Sequence, residues 1–289
     1  MQTEQTEQQI ESTIKFMTWN LPGGYRDNSS WNDRVDRILR LIAEIKPDIA
    51  CFQKITGRDL RNKFISDLTQ IGYEVIHAQR NANEICTSNL IIYNPDKFNY
   101  TKIKNIQLLS DDKYVPDDTT NANGFGANLL LVHFSCYDEN ITGKEFVVGN
   151  THFPMDKLSR IDCSHKLAQW FEKNKTTKYI IGGALNSYIG NGYDEQIEII
   201  QNFTTIVENE GMCGDMQISG SFLGSENDKF KCTAPNLDPV DHIMYNPDYM
   251  SHSNTIFDGR TMLKSEPPTL STRDLPSDHL PKIVDITFQ

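Results

Sequence analysis

Apolar residues recur in this chain at two spacings, every second and every third or fourth position, and the switches between them set out the elements. "IKFMTWN" (Ile14 to Asn20) is a β-rich run, and "LPGGYRDNSS" after it carries the Pro, Gly and Asn of a loop. Val35, Ile38, Leu39, Ile42 and Ile45 then recur at helical spacing. They predict a helix over Asp33 to Lys46, capped by Ser30 and stopped by Pro47. "DIACFQK" (Asp48 to Lys54) returns to strand, and Leu60, Phe64 and Leu68 mark a second helix. "YEVIHA" and "SNLIIY" read as strands, the second followed by an Asn-Pro-Asp turn.

Strands and helices go on alternating after Ala127. "NLLLVHFSC" and "EFVVGNTHF" flank "YDENITGK", whose Asn and Gly predict a hairpin. A helix is expected over Lys157 to Lys173, with Ile161, Ala168 and Phe171 inward, then the short strand "KYIIGG" and a helix over Asp194 to Glu208. "VDHIMY" and "KIVDITF" close the series as strands. The polar stretches Ser110 to Ala127 and Cys213 to Pro239 read as exposed loops. Strands alternate with helices but hairpins interrupt them, which predicts mixed sheets covered by helices in place of a purely parallel sheet. No internal repeat is seen, and no composition break marks a second domain.

Length and composition narrow this picture. The 289 residues fit one large α/β domain over 14–289. The segment 1–13, "MQTEQTEQQIEST", is too polar to bury itself and is expected as a disordered tail without signal-peptide character. No run approaches the apolar length of a membrane helix. Six cysteines (Cys51, Cys86, Cys136, Cys163, Cys213, Cys232) lack the paired spacing of a zinc site, and several sit inside apolar segments. Buried free thiols, an intracellular setting and a monomer are the expectations. The formal net charge of −11 opposes long-range attraction to nucleic acid or anionic lipid, though it leaves room for a local basic groove.

The candidate chemistry lies where strands end. Asn20 ends the first, His152 ends "FVVGNTH", and Asn186 follows "YIIGG"; Asp241 and His242 open the next strand, while Asp278 and His279 precede the last. Ligands collect at strand ends in open α/β sheets, so convergence there is informative.

On the pieces "MTWN", "PDIACFQK", "GNTHF", "IIGGALNS", "VDHIMY" and "PSDHLP", in order from Ile14 to Phe288, the chain resembles the endonuclease/exonuclease/phosphatase superfamily. The resemblance implies a four-layer αββα sandwich, DNase I-like, with two mixed β-sheets face to face and helices outside. It also implies a Mg²⁺-dependent phosphodiesterase or nuclease-like site at the strand ends. Asn20 would help hold metal and phosphate, His152 would donate to a phosphate oxygen or leaving group, and Asn186 would stabilise developing phosphoryl charge. Asp241 would orient His279, and Asp278 would lie near the metal.

Two positions depart from the pattern. The superfamily has Gln-Glu where this chain has Gln53-Lys54, so the main metal ligand is replaced by a cation. It has Gly-Asp-x-Asn where this chain has "GALN", so Ala184 replaces the group that aligns and deprotonates the attacking water. The resulting expectation is a pseudoenzyme with little or no Mg²⁺ binding. Lys54 would join Asn20, His152 and Asn186 on a phosphate-bearing ligand (nucleic acid, nucleotide or phospholipid headgroup), or the site would serve a protein partner. The alternative is a Mg²⁺-dependent phosphodiesterase captured as an inactive mutant.

Overall fold

The computed structural model of the chain describes residues 13–21, 28–55, 57–79, 88–109, 127–137, 145–154, 156–187, 195–207, 241–253 and 281–289. The long polar loops, most of the N-terminal tail, Cys86, Cys213 and Cys232, and the candidate residues Asp278 and His279 lie outside them.

Among the described residues, twelve strands and four helices follow one another as β1 (Thr13–Asn20), α1 (Asn28–Ile45), β2 (Ile49–Ile55), α2 (Arg58–Gln70), β3 (Glu74–Gln79) and β4 (Ser88–Tyr93), then β5 (Phe98–Leu109) and β6 (Ala127–Cys136). After these come β7 (Glu145–His152), α3 (Lys157–Lys173), β8 (Tyr179–Ala184), α4 (Glu195–Gln201), β9 (Thr205–Ile206), β10 (Asp241–Tyr245), β11 (Met250–Ser253) and β12 (Lys282–Phe288). One six-stranded sheet has the order β11-β12-β1-β2-β4-β3 and the other β5-β6-β7-β8-β10-β9. Each contains a single parallel pair, β1 with β2 and β7 with β8, and is otherwise antiparallel. These are the mixed sheets that the interrupted alternation predicts.

Period-two patterning decides which face each residue takes. Ile14 and Phe16 of β1, Ile49 and Cys51 of β2, Val148 of β7, Ile180 of β8 and Ile243 of β10 share one apolar cluster between the sheets. Intervening residues face outward. Met17, Ala50, Phe52 and Ile92 pack with Val35, Ile38 and Ile42 of α1 and with Phe64 and Leu68 of α2. Leu131, Val147, Ile181 and Met244 pack with Leu167 and Phe171 of α3 and Ile197 and Ile200 of α4. Three apolar layers therefore separate four layers of structure. Cys51, Cys136 and Cys163 are buried and in no disulfide, as expected for thiols inside strands and a helix.

Three boundaries differ from the sequence reading. α1 starts at Asn28, so Ser30 lies within the helix and not ahead of it; its end matches, with Lys46 in the left-handed region (φ 51°) before Pro47. α4 ends at Gln201 and not near Glu208. The β-branched run Thr204, Thr205, Ile206 and Val207 competes with helix, and Thr205–Ile206 pair with Tyr245–Met244 instead. The long edge strand β5 was not foreseen, because Lys102, Lys104 and Asn105 dilute its alternation.

Candidate active-site cleft at the strand ends

Above the apolar layer between the sheets, the inward positions turn polar. Thr18 of β1, Gln53 of β2, Asn89 of β4, Asn128 of β6 and Asn150 of β7 are all buried. Gln53 Nε2 donates to Thr18 Oγ1 at 2.9 Å and to Asn150 Oδ1 at 2.8 Å. Asn150 Nδ2 donates to the carbonyls of Phe52 at 2.9 Å and Leu90 at 2.7 Å. Asn89 Nδ2 donates to Asn128 Oδ1 at 3.0 Å. A buried amide must be bonded or it costs stability, so these cross-sheet bonds fix the spacing of the two sheets at this level. Gly182 of β8 permits the approach: a Cβ there would sit 2.9 Å from Thr18 Cβ.

The sequence-predicted residues occupy the next inward level. Asn20 is two residues beyond Thr18, His152 two beyond Asn150, and Ala184 two beyond Gly182. In sheet register His152 stands opposite Ala184, and Ala184 opposite Asp241. The three thus form one row on one face, with His152 and Asp241 two strands, or about 10 Å, apart. All three are buried, as is Asn20, whose register partner is Gln53.

Lys54 sits at an irregularity. Phe52 pairs with Leu90 and Ile55 with Ser88, so Gln53 and Lys54 together oppose the single residue Asn89. This is a β-bulge, and Lys54 carries its left-handed backbone (φ 67°). Phe52 and Ile55 both face outward into the α1–α2 layer; the extra residue therefore turns Lys54 to the inward side beside Gln53, half-buried. A non-glycine residue at positive φ is strained, and such strain concentrates at functional sites.

Asn186 is the other left-handed residue here (φ 52°), and its Nδ2 donates to the Phe153 carbonyl at 2.7 Å. A second N–H remains on that nitrogen. His242, next to Asp241 but on the opposite face, is committed to the Ser187 carbonyl at 2.9 Å through Nε2.

Asn20, Lys54, His152, Ala184 and Asp241 therefore meet at one end of the sandwich, with Asn186 two residues past Ala184. Sequence reasoning missed the amide layer beneath them, although each amide interrupts an apolar alternation at an inward position. It also missed Lys282, the first residue of β12, buried opposite Thr18, with Nζ donating to the Val207 carbonyl at 2.7 Å.

Mg²⁺ favours one or two fixed carboxylates. Among the described residues, the end of sheet β11-β12-β1-β2-β4-β3 at the cleft offers in their place the amides of Asn20 and Gln53 and the ammonium of Lys54, a donor set that does not suit it. Among the described residues no group of three or more His, Cys, Asp or Glu is placed to hold a metal ion.

Two mixed six-stranded sheets, face to face beneath helices and with polar residues at one end, constitute the endonuclease/exonuclease/phosphatase fold, DNase I-like. An endonuclease/exonuclease/phosphatase family protein from Bacteroides thetaiotaomicron superposes with a TM-score of 0.67, covering 96% of this chain and 99% of its own at 17% identity. The catalytic domain of human Nocturnin, solved with a bound sulfate anion, gives 0.63, with 97% of each chain covered at 16% identity. In sequence the chain is 24% identical over 264 residues to an uncharacterized protein of Acanthamoeba polyphaga mimivirus, covering 88% of this chain and 91% of that one. No family model matches the chain.

Proposed function

We propose that this chain is a phosphate-binding pseudoenzyme built on a phosphoesterase fold. The carrying observation is Lys54, a cation at a positive-φ bulge on the inward side of the cleft, where the fold's sequence pattern has the metal-binding carboxylate. An ammonium there gives a compact point charge to a phosphate oxygen, beside Asn20, His152 and the second N–H of Asn186. It cannot template in-line attack as a bound Mg²⁺ does, and it repels that ion. Ala184, between His152 and Asp241, offers a methyl group where a base would align water. Loss of a positioned base alone costs ~10²–10⁴ in rate. The sulfate held by Nocturnin's domain supports the reading, since sulfate and phosphate are both tetrahedral oxyanions.

The test pairs binding with reversion. The native chain should bind inorganic phosphate, lose affinity on Lys54→Gln, and show no Mg²⁺-dependent cleavage of nucleic acid or phospholipid panels. The double variant Lys54→Glu with Ala184→Asp should bind Mg²⁺ and hydrolyse one substrate class, which thereby identifies itself. Turnover by the native chain overturns the proposal and leaves the Mg²⁺-dependent phosphodiesterase.

A further inference from the structure

The edges of the two sheets are unequal. The edge strands β9 and β11 are two and four residues long and β3 is six, whereas β5 runs for twelve. Antiparallel β6 pairs with one side of β5. Among the described residues no strand pairs with the other side, so alternate N–H and C=O groups stand open there as a template for a further strand. Seven consecutive residues of it, Asn99 to Asn105, are exposed. β6 lies between this edge and β7, which carries His152 to the cleft.

The side chains of the edge sort by face. Tyr100 and Ile103 stand opposite Phe134 and Val132 of the layer between the sheets, yet remain 42% and 45% exposed. Lys102 and Lys104 stand opposite His133 and Leu131, on the other face. Neither lysine makes an ion pair among the described residues. After burial, Lys104 and Lys102 are the next causes holding the His133 pKa below its ordinary value, with Glu145 opposing them. No Asp or Glu occurs between Asp96 and Asp111. A chain of formal charge −11 thus carries a cationic stripe and an apolar stripe on the two faces of one open edge.

Lysines on an edge strand keep like-charged strands away. A second copy paired antiparallel about Ile103 would set Lys102 of each chain against Lys104 of the other, which opposes self-association. The same two lysines favour a strand with carboxylates on their face. Side chains alternate along a strand, so the other face of that partner lies beside Tyr100 and Ile103 and suits β-branched residues. The register with β6 shifts between Tyr100 and Lys102 and again between Gln107 and Leu109. Lys102 to Gln107 is the regular stretch between these irregularities, long enough for a strand of ordinary length.

We propose that β5 is a docking edge for an extended acidic segment of a partner protein, in which Glu or Asp alternates with β-branched residues and which joins the sheet as a seventh strand. The inference is independent of the phosphate-binding reading.

Fluorescence anisotropy at low salt tests it with labelled heptapeptides: Thr-Glu-Val-Glu-Val-Glu-Thr, the same peptide with Lys for each Glu, and the glutamate peptide with Pro for each Val. The native chain should bind the glutamate peptide about tenfold tighter than either of the others. The double variant Lys102→Glu with Lys104→Glu should reverse the preference and take the lysine peptide, a gain that a misfolded chain cannot show. Lys54→Gln should bind the glutamate peptide as the native chain does, and neither inorganic phosphate nor a twelve-residue oligothymidylate should displace it.

Failure to bind the glutamate peptide, equal binding of the proline peptide, or a preference that survives the charge reversal overturns the proposal. Displacement by oligothymidylate or phosphate overturns it in favour of a general anion site. A dimer in sedimentation that Ile103→Pro dissolves gives the edge to a second copy and overturns it too.

Discussion

Gln53 and Asn150 do more to define the cleft than any residue expected to do chemistry in it. Gln53 is fully buried, and its Nε2 has three acceptors in range, Thr18 Oγ1, Asn150 Oδ1 and the Cys51 carbonyl at 3.2 Å, for two hydrogens. Asn150 in turn satisfies two strand carbonyls. Replacing Asn150 with Leu, close in volume, takes this partner from both carbonyls and breaks the cross-sheet bond from Gln53, whose two hydrogens are left to Thr18 Oγ1 and the Cys51 carbonyl. The expected loss is about 2–4 kcal/mol, read as a lower urea midpoint with an unchanged slope. The same variant should weaken the proposed phosphate binding, because Asn20 and His152 stand one level above. The strand-end residues were legible in the sequence because each breaks an apolar run where a strand ought to stop. The amide layer was not, since its bonds join residues far apart, as Gln53 and Asn150 are, and a single Asn in a strand carries no local sign of its partner. The bulge at Lys54 was equally hidden: an extra residue shows only against the strand it pairs with.

Between elements, the close approach of the sheets rests on glycine. A methyl group at Gly182 would meet Thr18 Cβ at 2.9 Å and the Phe16 ring at 3.1 Å. Gly182→Ala is therefore expected to cost about 1–3 kcal/mol through overpacking, measured by thermal or urea unfolding. It should push Thr18 away from Gln53 as well. Loss of phosphate affinity in a variant that remains folded would show that sheet spacing sets the pocket. Most elements were readable from periodicity alone, and β1-α1-β2 and β7-α3-β8, each with a clean helical pattern between strands, hold the two parallel pairs that the sequence reading did not name. Where periodicity misled, tertiary pairing had overridden it. The strand β9 is two residues long and exists because β10 offers it an edge, and β5 is polar along much of its length because it lies at the rim of its sheet.

At the scale of the molecule, the order β-α-β-α-β-β occurs twice, as β1 to β4 and as β7 to β10, although no sequence repeat announces it. The parallel and antiparallel neighbours follow in the same order across both sheets. Equivalent bonds close the two strand ends: Leu21 N–H to the Gln53 carbonyl at 3.1 Å, and Phe153 N–H to the Ala184 carbonyl at 2.8 Å. Asn20 thus corresponds to His152, and Gln53 to Ala184, so the cleft lies where the two halves meet. The opposite end is closed by tyrosines. Tyr73 donates to the Pro47 carbonyl at 2.9 Å, and Tyr179 to the Phe203 carbonyl at 3.2 Å. Burial raises the pKa of each from 10.0 to about 12, with Asp48 adding to the effect at Tyr73 and Thr204 opposing it at Tyr179. Burial also raises Tyr93, with the Glu74 hydrogen bond second. A group whose folded-state pKa is raised holds its proton more tightly in the native state, so its stabilisation is complete below pH 10 and disappears as pH climbs through 12. For Tyr73 and Tyr179 this is on the order of 2–3 kcal/mol each. The histidines work in the other direction: burial first, then neighbouring cations, lowers His77, His133 and His252. Their contribution is present above pH 6.5 and fades as pH falls below it. Stability should therefore form a plateau between about pH 7 and 10, with the steeper loss on the alkaline side. Urea midpoints across pH 5–12 check this, with phenolate absorbance followed in parallel. Tyr73→Phe should flatten the alkaline limb, and an alkaline limb unchanged in that variant would show that its phenol ionises without cost inside the fold.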